Sequence, residues 1–213
     1  MRTTAIGATA AMAVIAGLVA AAPASADLTE SVERKPAKAA SVHGQARISY
    51  IESIDDDIRF TIRAEQRPFT RPVLPIAPEG LSTDARGTLT FSHTAPSGES
   101  GWAEAQVDCL VTSGRTATLT AVVTKSNVED VGTRLGISVQ QAGKGEPARL
   151  GFSWGVVNIA PEHVDENGQP MRPQTGTCMA PASFTTVITG GFEVVHAELM
   201  KSPAQTEGAS RRG

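Results

Sequence analysis

The chain has 213 residues, of which 40% are hydrophobic and 19% charged, with 20 Gly, 13 Pro and only 4% aromatics. This composition excludes a collagen-like chain, a disulfide-dense miniprotein and a disordered polyelectrolyte. Lys and Arg number 19 against 22 Asp and Glu, so no basic excess exists to neutralise a phosphate backbone, and nucleic acid is not expected as a partner.

Arg2 precedes a weakly apolar run from Ala5 to Ala22, which ends in Pro23-Ala24-Ser25-Ala26. A positive start, a short apolar core and an A-x-A site make a secretory signal, with cleavage predicted between Ala26 and Asp27. Residues 1–26 are thus read as a signal peptide, and the destination as secreted, extracellular or cell-wall associated. The alternative is an uncleaved anchor. The Gly and Thr of the run make a poor span, and no later apolar stretch reaches ~18 residues, so no stable membrane span is expected after cleavage. Residues 27–40 read as a flexible, Ala-rich linker, and 201–213 as a disordered tail without apolar periodicity. The packed β domain is left at 41–200.

Inside that domain the hydrophobic period is two. Val42, Ala46, Ile48 and Tyr50 alternate with His43, Gln45, Arg47 and Ser49. Ile58, Phe60, Ile62 and Ala64 alternate with Arg59, Thr61, Arg63 and Glu65. Asp55-Asp56-Asp57 lies between the two runs as a turn signal, so 42–64 is predicted to be a hairpin with a longer loop. Residues 66–86 carry Pro68, Pro72, Pro75 and Pro78 and read as an extended surface insert. Leu89 and Phe91 mark a strand over 87–95. Ala103, Ala105, Val107, Cys109 and Val111 run into a tight turn at 112–115, and Ala117, Leu119, Ala121 and Val123 run back. This 102–125 hairpin places Cys109 on the core face with Val107 and Val111. Further strands are predicted at 133–141, 149–157, 184–189 and 192–199. A second Pro-rich insert, again read as an extended loop, spans 158–177. About eight short strands without helical periodicity predict an all-β fold, a single antiparallel β-sandwich or barrel.

Export gives the cysteines a meaning. An even Cys count outside the cell reads as a disulfide, and Cys109 and Cys178 allow only one pairing. They stand 69 positions apart. In the chain-entropy model a loop of that length stabilises by about 4 kcal/mol. A reactive thiol or a metal pair is the alternative, but neither Cys has a second Cys or a His at ligand spacing.

Several stretches together resemble a known group. Gly87-x-Leu89-x-Phe91-Ser92-His93 is followed by Ala105-x-Val107-Asp108-Cys109-Leu110 and by Gly114-x-x-Ala117-x-Leu119-x-Ala121-x-Val123, with Asp56 to Phe60 (DDIRF) upstream. In these motifs the chain resembles small exported β-domain proteins of unknown function, common in actinomycetes and often labelled repetin-like. The resemblance covers about 42–157 and again Cys178 to Phe184. It implies export and a compact antiparallel β domain, and it carries over no catalytic residue.

Five patterns bear on chemistry. Gly151-Phe152-Ser153-Trp154-Gly155 matches G-x-S-x-G, and Asp165 and His196 follow in triad order. A nucleophile elbow needs a strand-to-helix turn, however, and the alternation here puts Ser153 within a strand. Asp55-Asp56-Asp57 with Glu52 offers oxygens for Ca²⁺, without EF-hand spacing, and otherwise forms an acidic turn. His93 shares a face with Leu89 and Phe91, and His196 with Phe192 and Val194. If both point inward they meet in the interior or mouth of a barrel, where with a carboxylate they form a candidate Zn²⁺ or general-base site. The plainer reading is two core histidines. Pro72-x-x-Pro75-x-x-Pro78 after Arg71 is either a polyproline ligand or a stiff loop closing one end of the domain. Trp102, Trp154 and Tyr50 are either a sugar-stacking platform or core.

Two functional readings follow. The first is an exported, non-enzymatic β domain that binds a protein or carbohydrate partner and needs no cofactor or metal. The second is a small extracellular hydrolase or metal-dependent enzyme using His93 and His196. A structural component of the envelope is a third option that the sequence leaves open.

Overall fold

The computed structural model describes residues 39–154, 160–171 and 173–202. The predicted signal peptide, nearly all of the linker and the tail beyond Ser202 lie outside the described residues.

Eight strands close into an antiparallel barrel. They are β1 (Ser41–Ser49), β2 (Asp57–Gln66), β3 (Ala85–Thr94), β4 (Ser100–Ser113), β5 (Thr116–Ser126), β6 (Arg134–Gln140), β7 (Arg149–Phe152) and β10 (Thr185–Val195). Each strand pairs with the next in sequence from β1 to β7, and β10 closes the ring between β7 and β1. Between β7 and β10 the chain makes a separate two-stranded hairpin, β8 (Ala160–Val164) and β9 (Pro170–Met171). Among the described residues there is no α-helix, only a 3-10 turn at Ile51–Ser53. Closure removes sheet edges and settles the choice between sandwich and barrel.

Alternation fills the interior. Ile58, Phe60, Ile62, Leu89, Val107, Leu110, Leu119, Ile137, Val139 and Leu150 pack into one buried cluster. An eight-stranded barrel has room for side chains to fill it, and these β-branched and Leu residues do so.

Three expectations need correction. First, Cys109 does not face the interior. Val107 stands opposite Ala121, but Cys109 stands opposite Thr120 and Leu110 opposite Leu119. The extra residue is Asp108, a β-bulge that reverses the alternation. Leu110 joins the core cluster in place of Cys109, which is nevertheless fully buried, on the outer side. Second, 184–189 and 192–199 are not two strands. The single strand β10 runs through Gly190 and Gly191, and a register slip against β1 between Arg47 and Ile48 absorbs the irregularity. β7 also stops at Phe152, with Ser153 and Trp154 in a turn, and the rest of the predicted 149–157 strand lies outside the described residues. Third, neither insert is merely extended. Residues 158–177 contain the β8–β9 hairpin, and 66–86 fold on themselves.

The predicted disulfide links Cys109 to Cys178, with Cα atoms 5.4 Å apart. It fastens residues 178–184, a strap across the outside of β4 to β7. A Cβ on Gly136 would lie 2.1 Å from the Met179 carbonyl oxygen, and one on Gly151 would lie 2.1 Å from that of Ala182. Only glycine lets the two backbones approach so closely. The Cys178 amide donates to Thr120 Oγ1 at 3.1 Å, and Ser183 Oγ donates to Ser138 Oγ at 3.2 Å. The strap then enters β10 beside β7, where the strands share just two residue pairs. Arg149 reinforces this seam by donating to the carbonyls of Ser183 and Phe184 at 2.9 and 3.0 Å.

Candidate functional site

One end of the barrel gathers most of the aromatic side chains. Phe60 comes from β2, Phe91 from β3 and Phe152 from β7. Tyr50, Trp154 and Phe184 come from the segments just after β1, after β7 and before β10. Ring centroids lie 4.8 Å apart for Phe91 and Trp154, 5.0 Å for Phe152 and Trp154, and 5.2 Å for Phe152 and Phe184. Tyr50 meets Phe152 edge to face at 5.4 Å. Such pairs contribute roughly 0.5–1.5 kcal/mol each beyond their area burial. Burial, with a smaller contribution from Glu52, raises the Tyr50 phenol above its ordinary range.

Trp154 is packed against this cluster without being fully buried. It borders two clefts. One, about 360 Å³, is lined by Phe91, His93, Glu99, Gly101, Val128 and Trp154 among others. The other, about 570 Å³, runs past Glu129, Arg134, Ser153, Trp154 and Gln174. The mouth therefore offers an aromatic wall open to solvent on two sides, with polar groups at its rim, the combination typical of ligand sites.

His93 stands at this mouth, last on the inward face of β3. Its Nε2 lies 2.5 Å from Asp56 Oδ2. Asp56 belongs to the acidic turn between β1 and β2. Its neighbour Asp57 turns to Arg59 and Arg47, each with Nε 2.8 Å from a carboxylate oxygen. The hydrogen bond from Arg59 dominates in holding the Asp57 carboxyl below its ordinary range. The three aspartates thus do not converge as a Ca²⁺ cradle.

His196 does not join His93. It follows β10, with Nδ1 3.0 Å from Thr112 Oγ1 and Nε2 3.1 Å from Glu198 Oε1. His93 stands opposite Gly101, near the start of β4, and Thr112 is near its end. At ~3.3 Å per residue the two histidines are separated by roughly 35 Å of strand. Among the described residues no group of three or more His, Cys, Asp or Glu is placed to hold a metal ion.

The three triad candidates are each engaged with partners of their own. Ser153 Oγ accepts the Gly136 amide at 3.1 Å, and the Ser153 amide donates to the Gly136 carbonyl at 2.9 Å. Asp165 closes the β8–β9 turn, accepting the amides of Asn167 and Gln169 at 2.8 Å each. Those two bonds, Gln169 first, hold its carboxyl below the ordinary range. His196 stands beside Thr112, near the end of β4. The G-x-S spacing instead reflects Gly151 under the strap and Ser153 bonded to β6.

Of the three predicted platform residues, Tyr50 and Trp154 belong to the mouth cluster. Trp102 is 40% exposed on the outer face of β4 and stands apart. Sequence reasoning missed two carboxylates that organise the fold. Asp108, at the bulge, accepts from Thr120 Oγ1 at 2.6 Å and from Arg134 Nε at 2.8 Å. Asp84, just before β3, is 3% exposed and accepts three backbone amides with one oxygen.

No family model, no curated protein and no solved structure matches this chain.

Proposed function

We propose that this chain is an exported, non-enzymatic binding domain of the repetin-like kind, and that its recognition site is the aromatic mouth of the barrel. The observation that carries this reading is the position of Trp154. The ring packs on Phe91 and Phe152 and still walls two clefts. Aromatic walls with a few polar rim groups recognise sugar rings and projecting apolar side chains, the two classes of partner that the sequence suggests. Export is supported by the signal pattern and suits a disulfide-closed frame. The rival, an enzyme using His93 and His196 together, has no geometry behind it, because the two residues stand at opposite ends of β4.

Glycan-array and pull-down screening of the processed chain tests the reading, with Trp154→Ala in parallel. A partner held by the natural chain and lost from a folded Trp154→Ala variant supports the mouth. A partner held equally by both places recognition elsewhere.

A further inference from the structure

The insert between β2 and β3 is a prong built in advance of any contact. Asp84 Oδ2 accepts the amides of Thr70, Arg71 and Leu81 at 3.0, 2.8 and 3.0 Å. Val73 and Ala77 exchange both backbone hydrogen bonds, at 2.8 and 2.7 Å. Gly80 has φ +90°, and a Cβ there would lie 2.6 Å from Asp84 Oδ2. At the base, the Arg67 amide donates to the Asp84 carbonyl at 2.6 Å, and the Leu110 amide to that of Thr83 at 3.0 Å.

Yet the outermost side chains of this ordered loop are aliphatic. Leu74 is 77% exposed, Ile76 85% and Val73 44%. Large aliphatic groups held in water on an ordered loop mark an interaction surface, because the cost of fixing the loop is already met in folding. No charge lies between Arg71 and Glu79, so the tip can enter an apolar recess without stranding an ion.

The same molecule carries a recess that suits it. The smaller cleft at the mouth has Phe91, Val128 and Trp154 on an apolar wall facing His93, Glu99 and Glu129 on a polar one, is at the low end of ligand-pocket sizes and accepts side chains more readily than a large ligand. Glu99 on its rim is complementary to Arg71 at the base of the tip. Prong and mouth occupy opposite ends of the barrel. The prong leaves β2 where that strand ends and returns where β3 begins, whereas the mouth is where β3 ends and β4 begins.

The geometry points to a second copy of this chain as the occupant of the mouth, with Leu74 and Ile76 of one copy seated against Phe91 and Trp154 of the next. This inference rests on the mouth being a recognition site. Donor and acceptor are different surfaces, so the contact is heterologous and builds open head-to-tail chains. Two side chains and their rim bury far less than the ~1,200 Å² of a stable interface, so the expected Kd is weak, on the order of 0.1–1 mM.

Sedimentation of the processed chain from micromolar to millimolar concentration is the test. The natural chain should rise in mean mass with concentration without a plateau. Leu74→Glu/Ile76→Glu, which spoils only the prong, and Glu99→Arg, which spoils only the rim, should each remain monomeric. Mixed at equal concentration, the two variants should stop at a dimer, because one intact prong meets one intact mouth. A monomeric natural chain at millimolar concentration overturns the inference, as does undiminished association of the prong variant or a monomeric mixture. An apolar fluorescent dye separates the two readings. Dye binding that depends on Trp154, in a chain that never self-associates, keeps the mouth and removes the second copy. Dye binding indifferent to Trp154, with no association, removes both.

Discussion

Cys178 and Thr120 are joined by a hydrogen bond across the outer wall of the barrel, the Cys178 amide donating to Thr120 Oγ1 at 3.1 Å. The Thr120 hydroxyl donates onward to Asp108, which also takes Arg134. The disulfide is therefore one strand of a wider fastening, and its position on the bulged outer face explains why one bond holds the strap, the β7–β10 seam and the end of the second insert together.

Loss of that bond should lower stability substantially. For a loop of this length the entropic contribution is about 4 kcal/mol, which for a domain of this size corresponds to a Tm drop of about 10 °C. Cys109→Ala and Cys178→Ala should fall by similar amounts, and the double variant no further, since one bond is lost in all three. Calorimetry under non-reducing conditions measures this. Thiol titration of the folded protein purified without reductant should find no free thiol, and two titrating groups would show that the bond had not formed.

The glycines beneath the strap give a sharper test of close approach. Gly151→Ala drives a methyl group into the Ala182 carbonyl, which is backbone and cannot swing away. A cost of about 2 kcal/mol and new protease cleavage within 178–184 are expected. Gly191→Ala is the control, since an added Cβ there meets nothing within 4 Å. Its stability should stay within about 0.5 kcal/mol of the natural chain. Equal losses at both positions would refute the close contact.

Local alternation made β1 to β5 legible, because over most of their length these strands have one buried and one more exposed face, with the outer face covered only around Asp108, Cys109 and Thr120. The same pattern fits a sandwich and a barrel, and closure depends on β1 meeting β10, a pairing about 150 residues apart that no local signal announces. Asp108 looks like any outward polar residue in a strand, so the bulge that turns Cys109 outward left no mark. The mouth is only partly legible for the same reason: Tyr50, Trp154 and His93 stand out in the sequence, but not their company. Tyr50, Phe60, Phe91, Phe152, Trp154 and Phe184 converge only once the barrel closes, and the alternation around Trp154 mimics a strand where the chain turns. A signal did exist for the strap. Gly136 and Gly151 interrupt otherwise apolar β-rich runs, which marks a close backbone approach.

Ser153 should be chemically silent. Its hydroxyl accepts the Gly136 amide and its own amide donates back, so the residue serves to join the end of β7 to β6. Among the described residues no base is shown at its Oγ, since Asp165 is engaged in its own turn and His196 with Thr112. A serine-directed fluorophosphonate should fail to label the folded chain, as read by intact mass. Stoichiometric modification at Ser153 would restore the hydrolase reading.

Acid should weaken the hairpin of β1 and β2 through Asp57. Its folded carboxyl is held below the ordinary aspartate range, chiefly by Arg59. A depressed carboxylate stabilises the fold above its unfolded pKa, and that stability is lost as pH falls through the lower folded value. The pair is well exposed, so solvent limits the contribution to below about 1 kcal/mol. Asp57→Asn should therefore be slightly less stable than the natural chain near neutrality and equal to it once pH is below the folded value. Urea melts across that range read the difference. A gap that widens toward acid would contradict the assignment.

Asp84 governs whether the prong is a fixed surface or a loose loop. One buried carboxylate oxygen takes three amides from both arms of the insert, and the residue's own carbonyl takes the Arg67 amide. Asp84→Ala leaves those amides to partial hydration, at a cost of about 2–3 kcal/mol. Asp84→Asn retains one acceptor oxygen without the charge, so an intermediate loss is expected. The damage should be local. Among the described residues the barrel core shares no side-chain bond with Asp84, so hydrogen exchange should accelerate in 67–81 and at Leu110, whose amide donates to Thr83, while the other amides of β4 and those of β5 remain protected. Because the tip presents Leu74 and Ile76 only while the arms are held, Asp84→Ala should also reduce self-association without altering either apolar residue. Uniform loss of protection across the barrel would show instead that Asp84 supports the whole domain.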